Sequence, residues 1–172
     1  MTKLIVMPGG LEMGKKRITA QDVADYLIYF GYETGELLTN LKLQKLVYYT
    51  QAWHLAIFNK PLFSGTFEAW VHGPVLPSLY NEYKSFRWRP IIKDEFDESK
   101  KIEVEAIFGK KTAFLENVIE EYFGLSGYEL EKMTHSEDPW IKARCGLPDD
   151  VPCNNSIRNE WMQEYYSKYL TE

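Results

Sequence analysis

The segment from Leu38 to Phe58 constrains the fold more than any other part of the chain. It reads LTNLKLQKLVYYTQAWHLAIF, with apolar residues at helical spacing on more than one face. A helix that is apolar on several faces is contacted on several sides and lies inside its domain. Thr39 or Asn40 is the expected N-cap, and Asn59–Pro61 ends the helix. At about 1.5 Å per residue it spans roughly 30 Å, the width of a small domain. The pattern therefore predicts a central, buried helix.

Local start and stop signals predict further helices around this one. Capping boxes are expected at Thr19–Asp22 and Ser126–Glu129, where a hydroxyl precedes an acidic residue by three positions. Proline suits the first turn of a helix, which predicts helix starts at Pro77 and Pro139, while Thr112 begins another helix. Glycine favours helix ends, and the expected stops are Gly31, Gly124 and Gly146. A final helix is expected to hold Ile157, Trp161, Tyr165, Tyr166 and Tyr169.

Little of the chain is expected to form strands. Phe67, Ala69 and Val71 alternate with polar or amphipathic residues, which predicts a short strand broken by Gly73–Pro74. Residues 90–92 and 101–104 are predicted to pair as a small hairpin around an acidic loop. The expected fold class is therefore mainly α (α+β with a minor sheet). It is a compact bundle of about six helices around a central buried helix, with residues 1–17 as a flexible leader and 18–172 as a single helical domain.

Composition narrows the classes of function. Aromatic residues make up 15% of the 172 residues, which fits either a dense core or a core with a partner-binding face. The net charge is −5, and the basic residues are scattered apart from Lys15–Arg17. Nucleic-acid binders usually carry a basic face, so the charge argues against DNA or RNA as the ligand and favours a basic protein partner. With two cysteines, no signal-peptide pattern and no apolar run of roughly 18 residues, the expected location is cytoplasmic, away from any membrane.

The residue types provide no catalytic constellation. The three histidines, His54, His72 and His135, lack metal-ligand spacing, and no phosphate-binding loop is present, so no cofactor or metal is expected. Glu68 and His72 are predicted to share a strand face, where they would form an acid–base pair. The favoured alternative is that His72 bonds a local backbone group and fixes the turn before Pro74. The chain is therefore predicted not to be an enzyme.

The polar residues of the central helix have two interpretations. Lys42 and Lys45 share one face, and Gln44 and Gln51 share another. They mark a solvent edge of the helix, which is the favoured interpretation, or they line a groove for a partner.

Several motifs together resemble one known family. In the first half these are residues 38–56, Pro61–Phe63, Glu68–Trp70, Gly73–Pro77 and Tyr80; in the second half they are Leu125–Leu130, Thr134–His135 and Pro139–Trp140. This ordered combination is similar to the Panacea-domain family, also called the GepA-like phage-associated family, which includes the SocA-type antitoxins. The similarity extends from about Ile18 to Leu170. The leader and residues 88–111 depart from the family pattern.

The resemblance implies a bacterial or prophage antitoxin that neutralises a cognate protein toxin by forming a direct complex with it. One alternative is an adaptor that delivers the toxin to a ClpXP-like protease; a DNA-binding regulator and an enzyme are less favoured. The motif residues, with a structural or partner-binding role, are Lys42, Gln44, Lys45, Trp53, Glu68, Trp70, His72, Gly73, Pro74, Pro77, Tyr80, His135, Pro139 and Trp140. The candidate interface anchors are Trp70, Tyr80, Tyr83 and Trp88.

Overall fold

The computed structural model describes residues 17–94 and 98–170. The predicted leader, apart from its last residue, lies outside the described residues. Eight α-helices occur in the described ranges: α1 Ala20–Thr34, α2 Asn40–Phe58, α3 Pro77–Tyr83, α4 Glu98–Phe108, α5 Thr112–Tyr122, α6 Gly127–His135, α7 Asp138–Arg144 and α8 Asn159–Ser167. Short 3₁₀ helices occupy Lys84–Phe86 and Gly109–Lys111. With a small sheet added, the predicted mainly α class is confirmed.

The central helix predicted from the sequence is α2. Every residue from 42 to 56 is buried, and α1, α5, α6 and α8 pack around it. Thr39 is its N-cap, accepting a hydrogen bond from the amide of Lys42. Trp53 is fully buried and donates its indole N–H to the Tyr122 hydroxyl of α5 at 2.8 Å. The helix therefore serves as the shared core of the other elements.

Capping chemistry places the helix starts correctly, but one predicted stop is wrong. Both capping boxes, at Thr19 and Ser126, are present. Gly31, however, lies inside α1, and the residue that caps its C-terminus is Gly35, with a left-handed φ of 76°. Gly31 is needed for close packing instead, since a Cβ there would lie 2.6 Å from the carbonyl oxygen of Glu36. Glycine within a helix can therefore serve packing rather than termination.

The hairpin predicted for residues 90–104 is wrong. The second half of that segment forms α4, because Val104 and Phe108, four residues apart, are both buried. Phe108 packs edge-to-face on Tyr26 of α1, with ring centroids 5.2 Å apart. Pro90 instead forms an isolated antiparallel bridge with Thr39.

The sheet has three short antiparallel strands in the order β2-β1-β3: β1 Phe67–Trp70, β2 Gly73–Val75 and β3 Ser156–Ile157. The alternation predicted for β1 is confirmed from Phe67 to Trp70, where Phe67 and Ala69 are buried and Glu68 and Trp70 are half-buried. It does not extend to Val71, which lies in the following turn and is half-buried. Gly73–Pro74 does not simply break the strand; it starts β2, whose Gly73 pairs with Trp70. Ile157 belongs to β3 rather than to the last helix, and β3 ties the C-terminal segment to the hairpin.

Candidate functional site

A groove with a volume of about 960 Å³ opens on one face of the protein. It lies between the N-terminal part of α2, the β1–β2 hairpin, α3 and α6. Five motif residues contribute to its lining: Gln44, Lys45, Trp70, His72 and Tyr80. The structure therefore brings together residues that are 36 positions apart in the sequence.

The floor of the groove is built by two polar residues of α2. Gln44 is 1% exposed and accepts a hydrogen bond from the amide of Leu76 at 2.9 Å. Lys45 is fully buried and donates to the carbonyl oxygen of Pro74 at 3.1 Å. Both side chains thus fix the connection from β2 to α3 by satisfying backbone groups that would otherwise be buried without partners. The favoured prediction of a solvent edge is wrong for these residues.

Lys42 and Gln51 are buried as well, away from the groove. Lys42 pairs with Glu36 and donates to the carbonyl oxygen of Phe123 at 2.5 Å. Gln51 donates to the carbonyl oxygen of Phe63 at 2.9 Å and accepts from the amide of Leu62 at 2.9 Å. The polar residues of α2 therefore bind the surrounding segments to the core.

Burial changes the protonation chemistry of Lys45. Desolvation lowers the pKa of its ammonium group to about 7, and the nearby Glu131 carboxylate opposes this shift. Among the described residues, no carboxylate lies within ion-pair distance of Lys45. The buried amine of Lys45 beneath the groove therefore titrates near neutral pH.

Gly73 is required by the same packing. Its φ is 89°, in the left-handed region that favours glycine. A Cβ at this position would lie 2.7 Å from both Cε of Lys45 and Oγ1 of Thr134. The close approach of the hairpin to α2 and α6 thus explains the glycine of the Gly-Pro motif.

Trp70 and Tyr80 form an aromatic wall of the groove. Their rings pack edge-to-face with centroids 4.8 Å apart, and both residues are half-buried. The indole N–H of Trp70 donates to the Glu68 carboxylate at 2.7 Å. The backbone carbonyl of Trp70 accepts the indole N–H of Trp140 at 3.0 Å. Glu68 and Trp140 thereby hold the wall in place.

The three histidines lie in different environments. His72 is exposed, and its Nδ1 lies 3.1 Å from the Glu131 carboxylate. The prediction that it bonds a local backbone group is therefore wrong. His135 stacks on Trp140 with ring centroids 3.9 Å apart, and burial lowers its pKa. His54 is buried against the carbonyl oxygen of Lys60. Since Glu68, His72 and His135 contact different partners, the structure does not assemble them as a catalytic group.

The remaining motif residues lie in the scaffold. Pro77 starts α3, and Pro139 lies in the first turn of α7. Tyr83, a candidate anchor, is 1% exposed, and its hydroxyl accepts a hydrogen bond from Gln21 at 2.6 Å. Tyr83 is therefore not part of the groove surface. Trp88, by contrast, is 81% exposed and lines the groove.

Two charged lining residues and one buried arginine were not predicted from the sequence. Lys84 and Arg87 line it beside Trp88. Arg144 is 1% exposed and donates to the carbonyl oxygens of Ala69, at 3.0 Å, and Val151, at 2.6 Å. It thus attaches the loop at 147–155 to the sheet. Arg144 follows Trp140 by four residues and stacks over its ring, a helical spacing that would have suggested the pair.

The described residues contain neither a metal-binding cluster nor a membrane-spanning helix. No group of three metal-ligating side chains in residues 17–94 and 98–170 is close enough to hold an ion. In the same ranges, no helix is long and apolar enough to cross a membrane.

Comparison with known families identifies the family to which the chain belongs. The profile of the family described as "Antitoxin SocA-like, Panacea domain" matches residues 43–141, more than half of the chain. The chain belongs to this family. The Panacea-domain match includes the groove floor, the hairpin, α3 and α6. It is shorter than the stretch from Ile18 to Leu170 expected from the motifs.

A curated relative agrees with the Panacea-domain assignment. The chain is similar to Antitoxin SocA of Caulobacter vibrioides (strain NA1000 / CB15N), with 36% identity over 70 residues. These residues are 41% of this chain and 37% of the relative, so the match spans little more than a third of that protein. No solved structure was found to match the chain.

Proposed function

We propose that this protein is an antitoxin that neutralises a cognate bacterial toxin by binding it directly, in the cytoplasm and without catalysis. The toxin would be encoded beside it, in a bacterial or prophage toxin–antitoxin system. Membership of the SocA-like antitoxin family supports the antitoxin role. The observation that supports a binding mechanism is the groove, which an exposed Trp88 lines together with the Trp70–Tyr80 wall.

Trp88 has the properties expected of an interface anchor. Tryptophan is seldom left largely exposed, because its ring buries a large apolar area. At protein–protein interfaces, a few tryptophan, tyrosine and arginine residues provide most of the binding energy. Trp88, Trp70 and Tyr80 are proposed as the anchors that contact the toxin. When the toxin binds in this groove, its active surface would be covered and could not act.

Co-expression with the product of the neighbouring gene tests the proposal. The neighbour expressed alone should stop growth, and expression of this protein should restore it. The two proteins should also co-elute in size-exclusion chromatography as a complex. A neighbour that is harmless alone, or that remains toxic in the presence of this protein, would contradict the proposal.

A matched pair of variants tests the groove as the contact surface. Trp88→Ala should weaken the complex by about 2 kcal/mol or more, the size typical of a hot-spot residue. Ile102→Ala is the control, since Ile102 is 64% exposed on α4 and does not line the groove. Its binding should be unchanged. If both variants changed binding equally, the groove would not be the contact surface for the toxin.

The half-life of the toxin in the co-expressing cells tests the protease-adaptor alternative. An adaptor would shorten the half-life of the toxin in cells with an active ClpXP-like protease, whereas occlusion leaves the half-life unchanged. No contact within the described ranges favours the adaptor, so we expect a stable toxin in a neutralised complex.

A further inference from the structure

We propose that the groove binds a segment of the partner protein in which acidic residues flank an apolar side chain. This inference rests on the proposed function and specifies the chemistry of the partner. It reverses the preference for a basic partner that the net charge of −5 suggested. The sign of the local charge, the anchoring residues and the backbone around Arg87 support it.

The charge of the groove is opposite to that of the whole protein. Lys84 and Arg87 are exposed cations in its lining, whereas Lys45 is fully buried, and Glu131 is the one carboxylate among the described lining residues. Glu131 is already engaged by His72 at 3.1 Å. Lys84 contacts the neutral side chain of Asn81, and Arg87 has no ion-pair partner among the described residues. Charge complementarity therefore favours acidic side chains in the occupant.

The apolar part of the groove adjoins these cations. Trp88 is the residue after Arg87 and is 81% exposed, and Trp70 and Tyr80, whose rings pack together, line the same groove. An apolar side chain bound against these rings would exclude water from the nearby charges. Ion pairs that lose water on binding contribute more to specificity than fully exposed pairs do. The groove thus combines an apolar contact with a cationic flank.

The backbone around Arg87 is strained, and the strain exposes the two residues. The amide of Arg89 donates to the carbonyl oxygen of Phe86 at 3.0 Å, which closes a four-residue turn. Arg87 is second in this turn, with φ 56° and ψ −118°, values of a type II′ turn in which glycine is the usual residue at this position. Arginine there costs stability, and strained non-glycine residues are common at functional sites. The turn places Arg87 and Trp88 beside the groove.

Selection from a random decapeptide library, with the full-length protein as bait, tests the inference. Peptides enriched on the wild-type protein should carry Asp or Glu within a few residues of an apolar side chain. Enrichment should disappear on the Lys84→Glu/Arg87→Glu double variant. The control is Lys60→Glu/Lys168→Glu, which changes the net charge equally at exposed lysines outside the groove. Enriched basic peptides, no enrichment, or equal loss on both double variants would each overturn the inference.

Affinity measurements with the most enriched peptide, labelled with fluorescein, make the test quantitative. Reversing the charge of both Lys84 and Arg87 should weaken peptide binding about 10-fold or more. Replacing the acidic residues of the peptide by their amides should weaken it by a similar factor. Raising the salt concentration should also weaken it. A single-stranded decathymidylate is the competing probe, because cations beside aromatic rings also suit nucleic acids. Tighter binding of the oligonucleotide than of the peptide would overturn the inference.

Failure of this inference can be distinguished from failure of the proposed function. If the Lys84→Glu/Arg87→Glu variant neutralises the neighbouring toxin as well as the wild type does, the antitoxin role stands and the groove assignment is wrong. If the wild type itself does not neutralise the toxin, the proposed function fails, and the peptide selection still reports what the groove binds.

Discussion

Lys45 donates a hydrogen bond to the carbonyl oxygen of Pro74 across 3.1 Å, and both residues are buried. This contact joins the central helix to the Gly-Pro hairpin, so the family motif in α2 and the motif at Gly73–Pro74 form one structural unit. The groove floor depends on that unit.

The first prediction concerns the space between Gly73 and Lys45. Gly73→Ala should destabilise the protein by about 3 kcal/mol, because a Cβ there is strained at φ 89° and lies 2.7 Å from Cε of Lys45. Urea denaturation measures the change. Gly124→Ala is the control, because a Cβ at Gly124 has no neighbour within 4 Å. The free energy of unfolding of this variant should stay within about 0.5 kcal/mol of wild type.

The second prediction follows from the lowered pKa of Lys45. Burial lowers this pKa from 10.5 to about 7. Between these values the unfolded chain holds a proton that the native protein has lost, so this contribution to stability rises with pH and is lost as pH falls through 7. From pH 7 to pH 9, wild type should gain about 2 kcal/mol relative to Lys45→Met. A pH-independent difference between the two proteins would contradict this assignment.

Glu137 provides a prediction of the opposite sign. It is 1% exposed and accepts hydrogen bonds from the hydroxyls of Tyr49 and Tyr166, and burial raises its pKa from 4.5 to about 7. Its contribution to stability is present below pH 4.5 and is lost as pH rises through 7. Between pH 5 and pH 8, wild type should lose about 2 kcal/mol relative to Glu137→Gln. Thermal unfolding across this range measures it, with the exposed Glu120→Gln as the control.

The turn at Arg87 provides a prediction that separates stability from binding. Arg87→Gly should raise the free energy of unfolding by up to about 1 kcal/mol, because glycine adopts φ 56° without strain. The same variant should bind the partner less tightly, because it removes a cation from the groove. Arg87→Lys keeps both the strain and the charge, so its stability should match wild type. Lower stability for Arg87→Gly would show that the turn is not strained.

Local sequence signals predicted the elements that depend on local chemistry. The capping boxes at Thr19 and Ser126 are confirmed because a cap is made within one helical turn. The stop at Gly31 and the hairpin at 90–104 were wrong for a common reason. In each case packing decided the outcome: the carbonyl of Glu36, just after α1, lies against Gly31, and the distant helix α1 packs against Phe108.

The candidate site was predictable only in part. Three of the four candidate anchors, Trp70, Tyr80 and Trp88, line the groove, whereas Tyr83 is buried outside it. Lys84 and Arg87 carried no signal, because isolated surface cations are common in any sequence. Their relevance depends on their position beside Trp88, which follows from the turn that ends the 3₁₀ helix at 84–86.

The sequence by itself determined the buried central helix, most helix limits and the membership of the antitoxin family, because periodicity, caps and motifs are properties of the chain order. Only the tertiary structure decided that Gln44, Lys45 and Gln51 are interior residues. A helix buried on all sides has no polar face, so its polar residues cannot be assigned from periodicity. Their position follows from the backbone groups they satisfy, which come from segments that only the folded chain brings to α2.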